Sequence, residues 1–136
     1  MADSFAVQIV TPEKLVVETT AEELQIPGKK GYLGILPGHA PLITELAVGE
    51  ISYRSGQKVG RVAVAWGFAE VLPDKVTILA ETAEKAEDID AARAERAKQR
   101  AEERLTKGGG ETDYARCQVA LQRAETRLEV AQKKGQ

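Results

Sequence analysis

The chain changes composition near residue 80, and that break constrains its fold more than any other feature. Residues 1–80 carry all five Pro, eight of the twelve Gly and every aromatic residue except Tyr114. Residues 81–136 carry no Pro and are built mainly from Ala, Glu, Arg, Lys and Gln. Pro and Gly punctuate short extended segments, whereas Ala, Glu, Arg and Lys favour helix. A length of 136 residues leaves room for one small β domain and a helical appendage. The expected division is a β-sandwich domain over residues 1–84 and a helical part over residues 85–136. Charge does not mark the break: there are 7 basic and 9 acidic residues before position 81, and 12 of each after it.

The first part reads as about nine short strands between turn signals. They are expected at 5–10, 15–18, 23–26, 32–36, 42–46, 50–54, 59–65, 68–72 and 76–79. Thr11-Pro12, Pro27-Gly28, Ser55-Gly56 and Pro73-Asp74 separate them. Strands at this spacing suit a β-sandwich or flattened barrel.

The second part reads as an antiparallel helical hairpin, so the fold class is α+β in two parts. Asp88 and Asp90 cap a first helix from about Asp90 to Thr106, which Gly108-Gly109-Gly110 ends. Thr112-Asp113 caps a second helix running to about Lys133. The apolar stripes are thin: Ile89, Ala94, Ala97, Ala101 and Leu105 on the first helix, and Cys117, Leu121, Ala124, Leu128 and Ala131 on the second. A buried methyl contributes about 0.8 kcal/mol, against roughly 1.5–3 for a buried Leu. Docking is therefore expected to be worth only a few kcal/mol. Two behaviours fit such a seam: a switch between folded-down and extended states, or a static Ala-rich hairpin.

Several function classes are excluded. A net charge of −2 with both signs interspersed makes no case for nucleic-acid binding. One His and one Cys build neither a metal site nor a catalytic triad. No run of about 18 apolar residues is present, so no direct membrane insertion is expected. The N-terminal Met-Ala-Asp-Ser-Phe-Ala-Val has no basic or apolar leader pattern, so the chain is expected to remain where it is made. His39, alone in a turn, reads as structural or interfacial. Cys117 reads as a small core residue. The hairpin's arginines carry the one chemical hypothesis. Arg123 and Arg127 are four apart on one helical face, where they and Arg93 can offer guanidinium forks to a polyphosphate. The competing reading is a solvated face balanced by Glu95, Glu102, Glu103, Glu125 and Glu129.

Residues 31–42 read Gly-Tyr-Leu-Gly-Ile-Leu-Pro-Gly-His-Ala-Pro-Leu. This run resembles the signature of the epsilon subunit of the rotary, F-type ATP synthase, bacterial type, and the resemblance extends over essentially the whole chain. Ile89-Asp90-Ala91-Ala92-Arg93-Ala94 is similar to the I/L-D-x-x-R-A pattern of epsilon subunits that bind ATP. The resemblance implies an ATP site made by Glu84, Ile89, Asp90, Arg93, Ala94, Arg123 and Arg127. The Gly108–Gly110 link departs from the more polar links of that family. The resemblance also implies a non-catalytic central-stalk subunit, not an enzyme, peripheral on the cytoplasmic face of the cell inner membrane. Its partners would be the gamma subunit, the c-ring, approached through Tyr32 and His39, and the alpha/beta catalytic subunits. No cofactor is required; ATP would be a regulatory ligand of a hairpin that inhibits hydrolysis when extended. A free-standing ATP-sensing module and a static scaffold are the competing functions. The mitochondrial delta subunit and plastid versions share the architecture.

Overall fold

A computed structural model describes residues 3–135. The β domain holds eight strands: β1 (Phe5–Val10), β2 (Leu15–Ala21), β3 (Glu23–Gly28), β4 (Gly31–Ile35), β5 (Leu42–Leu46), β6 (Gly49–Ser55), β7 (Lys58–Val71) and β8 (Lys75–Lys85). Their order is β2-β1-β8-β7-β5-β3-β4, and β6 pairs with both β3 and β7. All pairings are antiparallel except β1 with β8. A single 3-10 turn, Ala86–Asp88, leads into α1 (Ala91–Lys107) and α2 (Tyr114–Gln132).

Alternation places the core. Phe5, Val7 and Ile9 of β1 face inward while Gln8 and Val10 do not. They meet Leu24, Ile26, Ile35, Ile51, Val76 and Ile78 in one apolar cluster between the layers. Period-two burial of this kind is the expected pattern for strands with one covered face.

Two expected strands, 59–65 and 68–72, are one. β7 runs unbroken through the junction, and its register against β8 does not shift: Ala65 pairs with Thr82 and Gly67 with Ala80. The inward side does change, from Val62 and Val64 to Ala69 and Val71. The backbone turns over at Trp66 (φ 59°) and Gly67 (φ 127°). β8 switches likewise, from Val76, Ile78 and Ala80 to Ala83. The two long strands thus cross from one layer to the other; β6 pairs with the first half of β7 and β5 with the second. Gly67 is required here: its φ is one that L side chains rarely adopt, and a Cβ would collide with the Leu79 carbonyl oxygen.

β8 also extends to Lys85, beyond the expected end at Leu79. Glu81–Lys85 have little apolar character, but Thr82–Lys85 pair with Val62–Ala65, which holds this stretch in the sheet. The helices match expectation closely. Asp90 and Asp113 are their N-caps, accepting from Arg93 N–H and Arg116 N–H at 3.0 Å each. Asp88 caps neither helix and lies in the 3-10 turn. α1 ends at Gly108 in an extended conformation (φ −64°, ψ 143°), not in a left-handed one. The Gly108 carbonyl accepts from Tyr114 Oη at 2.9 Å, which closes the hairpin turn.

Replacing Gly67 with Ala is expected to destabilise the β domain by about 2–3 kcal/mol, from strained φ and backbone collision together. Urea unfolding followed by Trp66 fluorescence measures it. A change below about 0.5 kcal/mol would show that the crossing does not depend on Gly67.

Candidate functional site

The hairpin lies on the β domain, and α2 carries the main contact. α2 has two faces. One, with Cys117, Leu121, Ala124 and Leu128, forms the seam with α1, where Ala94, Ala101, Cys117 and Ala124 are buried. Leu105, Leu121 and Leu128 stay half-buried, so the seam is as thin as its composition requires.

The other face meets β6 and β7. Val130, 0% exposed, packs with Ala63 of β7, Ala86 of the 3-10 turn and the half-buried Ile89. Val62-Ala63-Val64-Ala65 is buried on both sides, the valines in the sandwich core and Ala63 under the helix. Alanine at 63 leaves room for the helix to approach the sheet closely. Val130 was not among the expected stripe residues. The signal was present in the 4,3 spacing of Arg123, Arg127 and Val130, which marks a second helical face.

Two ion pairs flank Val130. Arg127 Nε lies 2.6 Å from Glu84 Oε1 of β8. Lys133 Nζ lies 3.1 Å from Glu50 Oε1 of β6, and Arg61 Nη1 lies 3.3 Å from Glu50 Oε2. The two pairs made by Arg127 and Lys133 are partly exposed, so each contributes on the order of 1 kcal/mol or less. Among the described residues, Arg61 Nε is the one buried side-chain nitrogen or oxygen without a partner. Half-buried Tyr53 of β6 lies near the linker: burial first and the Glu87 carboxylate second push its phenol above the ordinary range.

The residues expected at an ATP site are distributed along this interface. Glu84 and Arg127 are in contact with each other. Arg123 and Arg127 share a small gap against Val64, Ala65 and Thr82 of the sheet. Asp90 caps α1 through Arg93 N–H, and Ile89 borders Val130. Ala94 is buried on the seam, and the Arg93 residue is exposed. Arg123 also reaches a second space, an open cleft of about 610 Å³ between the helices. Its charged lining is Arg100, Arg104, Arg116, Arg123 and Asp113. The Asp113 carboxylate already accepts from Arg116 N–H, so the cleft is dominated by guanidinium groups suited to an anion. Arg100, Arg104 and Arg116 were visible in the sequence as charges, but only the crossing of the helices turns them into one wall.

The two residues expected at the ring-facing end sit differently. Tyr32, 60% exposed, lines a cleft of about 560 Å³ with Leu33, Leu42, Ile43 and Phe68. Its hydroxyl accepts from Glu50 N–H at 3.0 Å. His39 is half-buried in the turn after β4, with Nδ1 2.7 Å from the Ala40 carbonyl oxygen. That turn is held to the β7–β8 turn by Gly38 N–H donating to the Pro73 carbonyl. Outside these turns the sheet exposes Ile43 (72%), Phe68 (52%) and Leu79 (55%). Register places Phe68 beside Leu79, and Leu79 beside Val10.

No described helix is long and apolar enough to cross a membrane. Residues 4–86 match the family model described as "ATP synthase, Delta/Epsilon chain, beta-sandwich domain". Residues 87–132 match the one described as "ATP synthase, Delta/Epsilon chain, long alpha-helix domain". An ATP synthase epsilon chain of Koribacter versatilis is 68% identical over 111 residues, covering 82% of this chain and 78% of that one. One from Syntrophobacter fumaroxidans is 48% identical over 133 residues, covering 98% and 99%. Among solved structures, a chain of the Euglena gracilis mitochondrial ATP synthase superposes with a TM-score of 0.82 at 22% identity, covering 97% of this chain and 83% of that one. That likeness supports the fold.

Shortening Val130 to Ala is expected to weaken hairpin docking by about 1–2 kcal/mol, because it empties a fully buried contact. Amide hydrogen exchange over residues 124–132 reads this directly. Unchanged protection there would remove Val130 as the anchor.

Proposed function

The chain belongs to the ATP synthase delta/epsilon chain family, and on that premise we propose that it is a central-stalk subunit whose hairpin regulates ATP hydrolysis. Residues 1–84 form the part that stays on the stalk, and residues 85–136 form the part that moves. The subunit catalyses no reaction. It joins the gamma subunit to the c-ring, peripheral on the cytoplasmic face of the membrane. Exposed Ile43, Phe68 and Leu79 suit a protein partner, since a contiguous apolar face costs free energy in water. Tyr32 and His39 are assigned to the end that approaches the ring.

The observation that carries the reading is how little holds the hairpin down: one buried side chain on α2, Val130, against the sheet, and two flanking, partly exposed ion pairs. A fully buried Val contributes roughly 1.5–3 kcal/mol, so the extended state lies within reach of modest forces. Extended, the hairpin would carry its arginines to the alpha/beta catalytic subunits and block hydrolysis. Docked, it would release that block.

ATP is the proposed regulatory ligand of the docked form. Arg123 lines both the interhelical cleft and the small sheet-side gap that Arg127 borders, so phosphates held in the cleft would draw on Arg100 and Arg123, with Arg127 one turn further along α2. Glu84, Ile89, Asp90, Arg93 and Ala94 complete the assigned set, with Asp90 and Arg93 at the start of α1. The ion pair between Glu84 and Arg127 means that ATP must share or displace that contact. At ten times its dissociation constant a ligand stabilises the state that binds it by roughly 1.4 kcal/mol, a useful fraction of the docking energy.

Calorimetric titration of the isolated protein with ATP is expected to show binding in the millimolar range or tighter, weakened at least tenfold in an Arg123→Ala plus Arg127→Ala variant. No heat with either protein would remove ATP as the ligand. In the assembled enzyme, deleting residues 88–136 is expected to raise ATP hydrolysis several-fold. An unchanged rate would favour a static scaffold, and failure to copurify with gamma and c subunits would favour a free-standing module.

A further inference from the structure

β6 lacks a backbone partner on one side at Glu50. β3 pairs with β6 at Glu23–Gln25 opposite Ser52–Arg54, and with β5 at Gly28 opposite Leu46. Between those points the edge is filled by a side chain: Glu50 N–H donates to Tyr32 Oη. Gly49 makes this possible, because a Cβ at 49 would lie 2.6 Å from Pro27 Cβ and 2.8 Å from Tyr32 Oη. The Glu50 carboxylate, only 19% exposed, bridges Arg61 and Lys133. One residue therefore touches the signature strand, the long central strand and the last turn of the hairpin.

The three contacts differ in how readily they break. Arg61 is largely covered and its Nε has no partner, so its charge depends on the Glu50 carboxylate. Lys133 is 43% exposed and can exchange its ion pair for water. Of the two cations on Glu50, Lys133 is the more exposed and its ion pair the more easily exchanged. Tyr32, 60% exposed, is the most exposed of these groups and lines the cleft that a partner surface would enter.

We propose that Glu50 couples the exposed Tyr32 cleft to hairpin docking, so that a protein surface engaging the Tyr32 ring changes the fraction of hairpin that is docked. The partner suited to this cleft offers apolar groups to Leu42, Ile43 and Phe68 and polar groups to Lys29, Lys30 and Glu45 at its rim. The inference rests on the assignment of Tyr32 to the ring-facing end. Its mechanism, however, is internal to the chain and is tested without any partner.

The test is amide hydrogen exchange on the isolated full chain. Lys133→Ala is expected to speed exchange across residues 124–132 by about fivefold. Tyr32→Phe keeps the ring and removes the acceptor oxygen; about threefold faster exchange is expected over the same residues, with β1 and β8 unchanged. Because both act through Glu50, the double variant should show less than the product of the single effects. Three results overturn the proposal: α2 exchange in Tyr32→Phe equal to the parent, equal acceleration in β1 and β8, or a double variant showing the plain product. Loss of ring contact in the assembled enzyme would instead strike the stalk assignment and leave this coupling standing.

Discussion

A helix can rest on a sheet only where the sheet's outer side chains are small enough to let it approach and apolar enough to hold it. Val62-Ala63-Val64-Ala65 meets both demands at once. The valines fill the sandwich, and Ala63 leaves a shallow seat for Val130. The docked hairpin depends on this two-faced stretch, because α1 packs on α2 and α2 makes the main contact with the sheet. The crossing at Trp66–Gly67 matters for the same reason: it turns the second half of β7 away, leaving Phe68 and Glu70 on an outer surface that the hairpin does not cover.

The polar contacts around that seat are of a kind that can be remade. Glu84–Arg127 and Glu50–Lys133 sit at a partly wet boundary, where ion pairs gain little net energy and are weakened by salt. They set the register of α2 on the sheet more than they fasten it. Arg127 belongs both to docking and to the proposed phosphate set, so ligand and docking contact draw on the same guanidinium. Arg61 is the exception: it is largely covered, and the carboxylate that answers its charge, Glu50, comes from the sheet and not from the hairpin.

Much of the architecture was legible because it follows from local chemistry. Asp90 and Asp113 capped the helices as expected, since a short carboxylate before an Ala-rich run satisfies free N–H groups wherever it stands. The fusion of strands 59–65 and 68–72 was not legible. Trp66-Gly67 reads as a break, yet pairing with β8 in one register on both sides of Trp66 carries the strand through it. The extension of β8 through Glu81–Lys85 was hidden likewise, because those residues owe their conformation to a partner strand rather than to their own propensity.

The sequence by itself determined the two-part α+β division, the caps, the thin seam and the family, because each is written in residue type and short-range spacing. Only the tertiary structure decided which face of α2 meets the sheet and which arginines share a cleft. It also decided that Glu84, Glu50 and Tyr32 stand next to groups 43, 83 and 18 positions away. The physical reason is that helix caps and turns are settled within a few residues. Docking a second helical face instead requires complementary volume and charge from strands that meet it only after the sheet has closed.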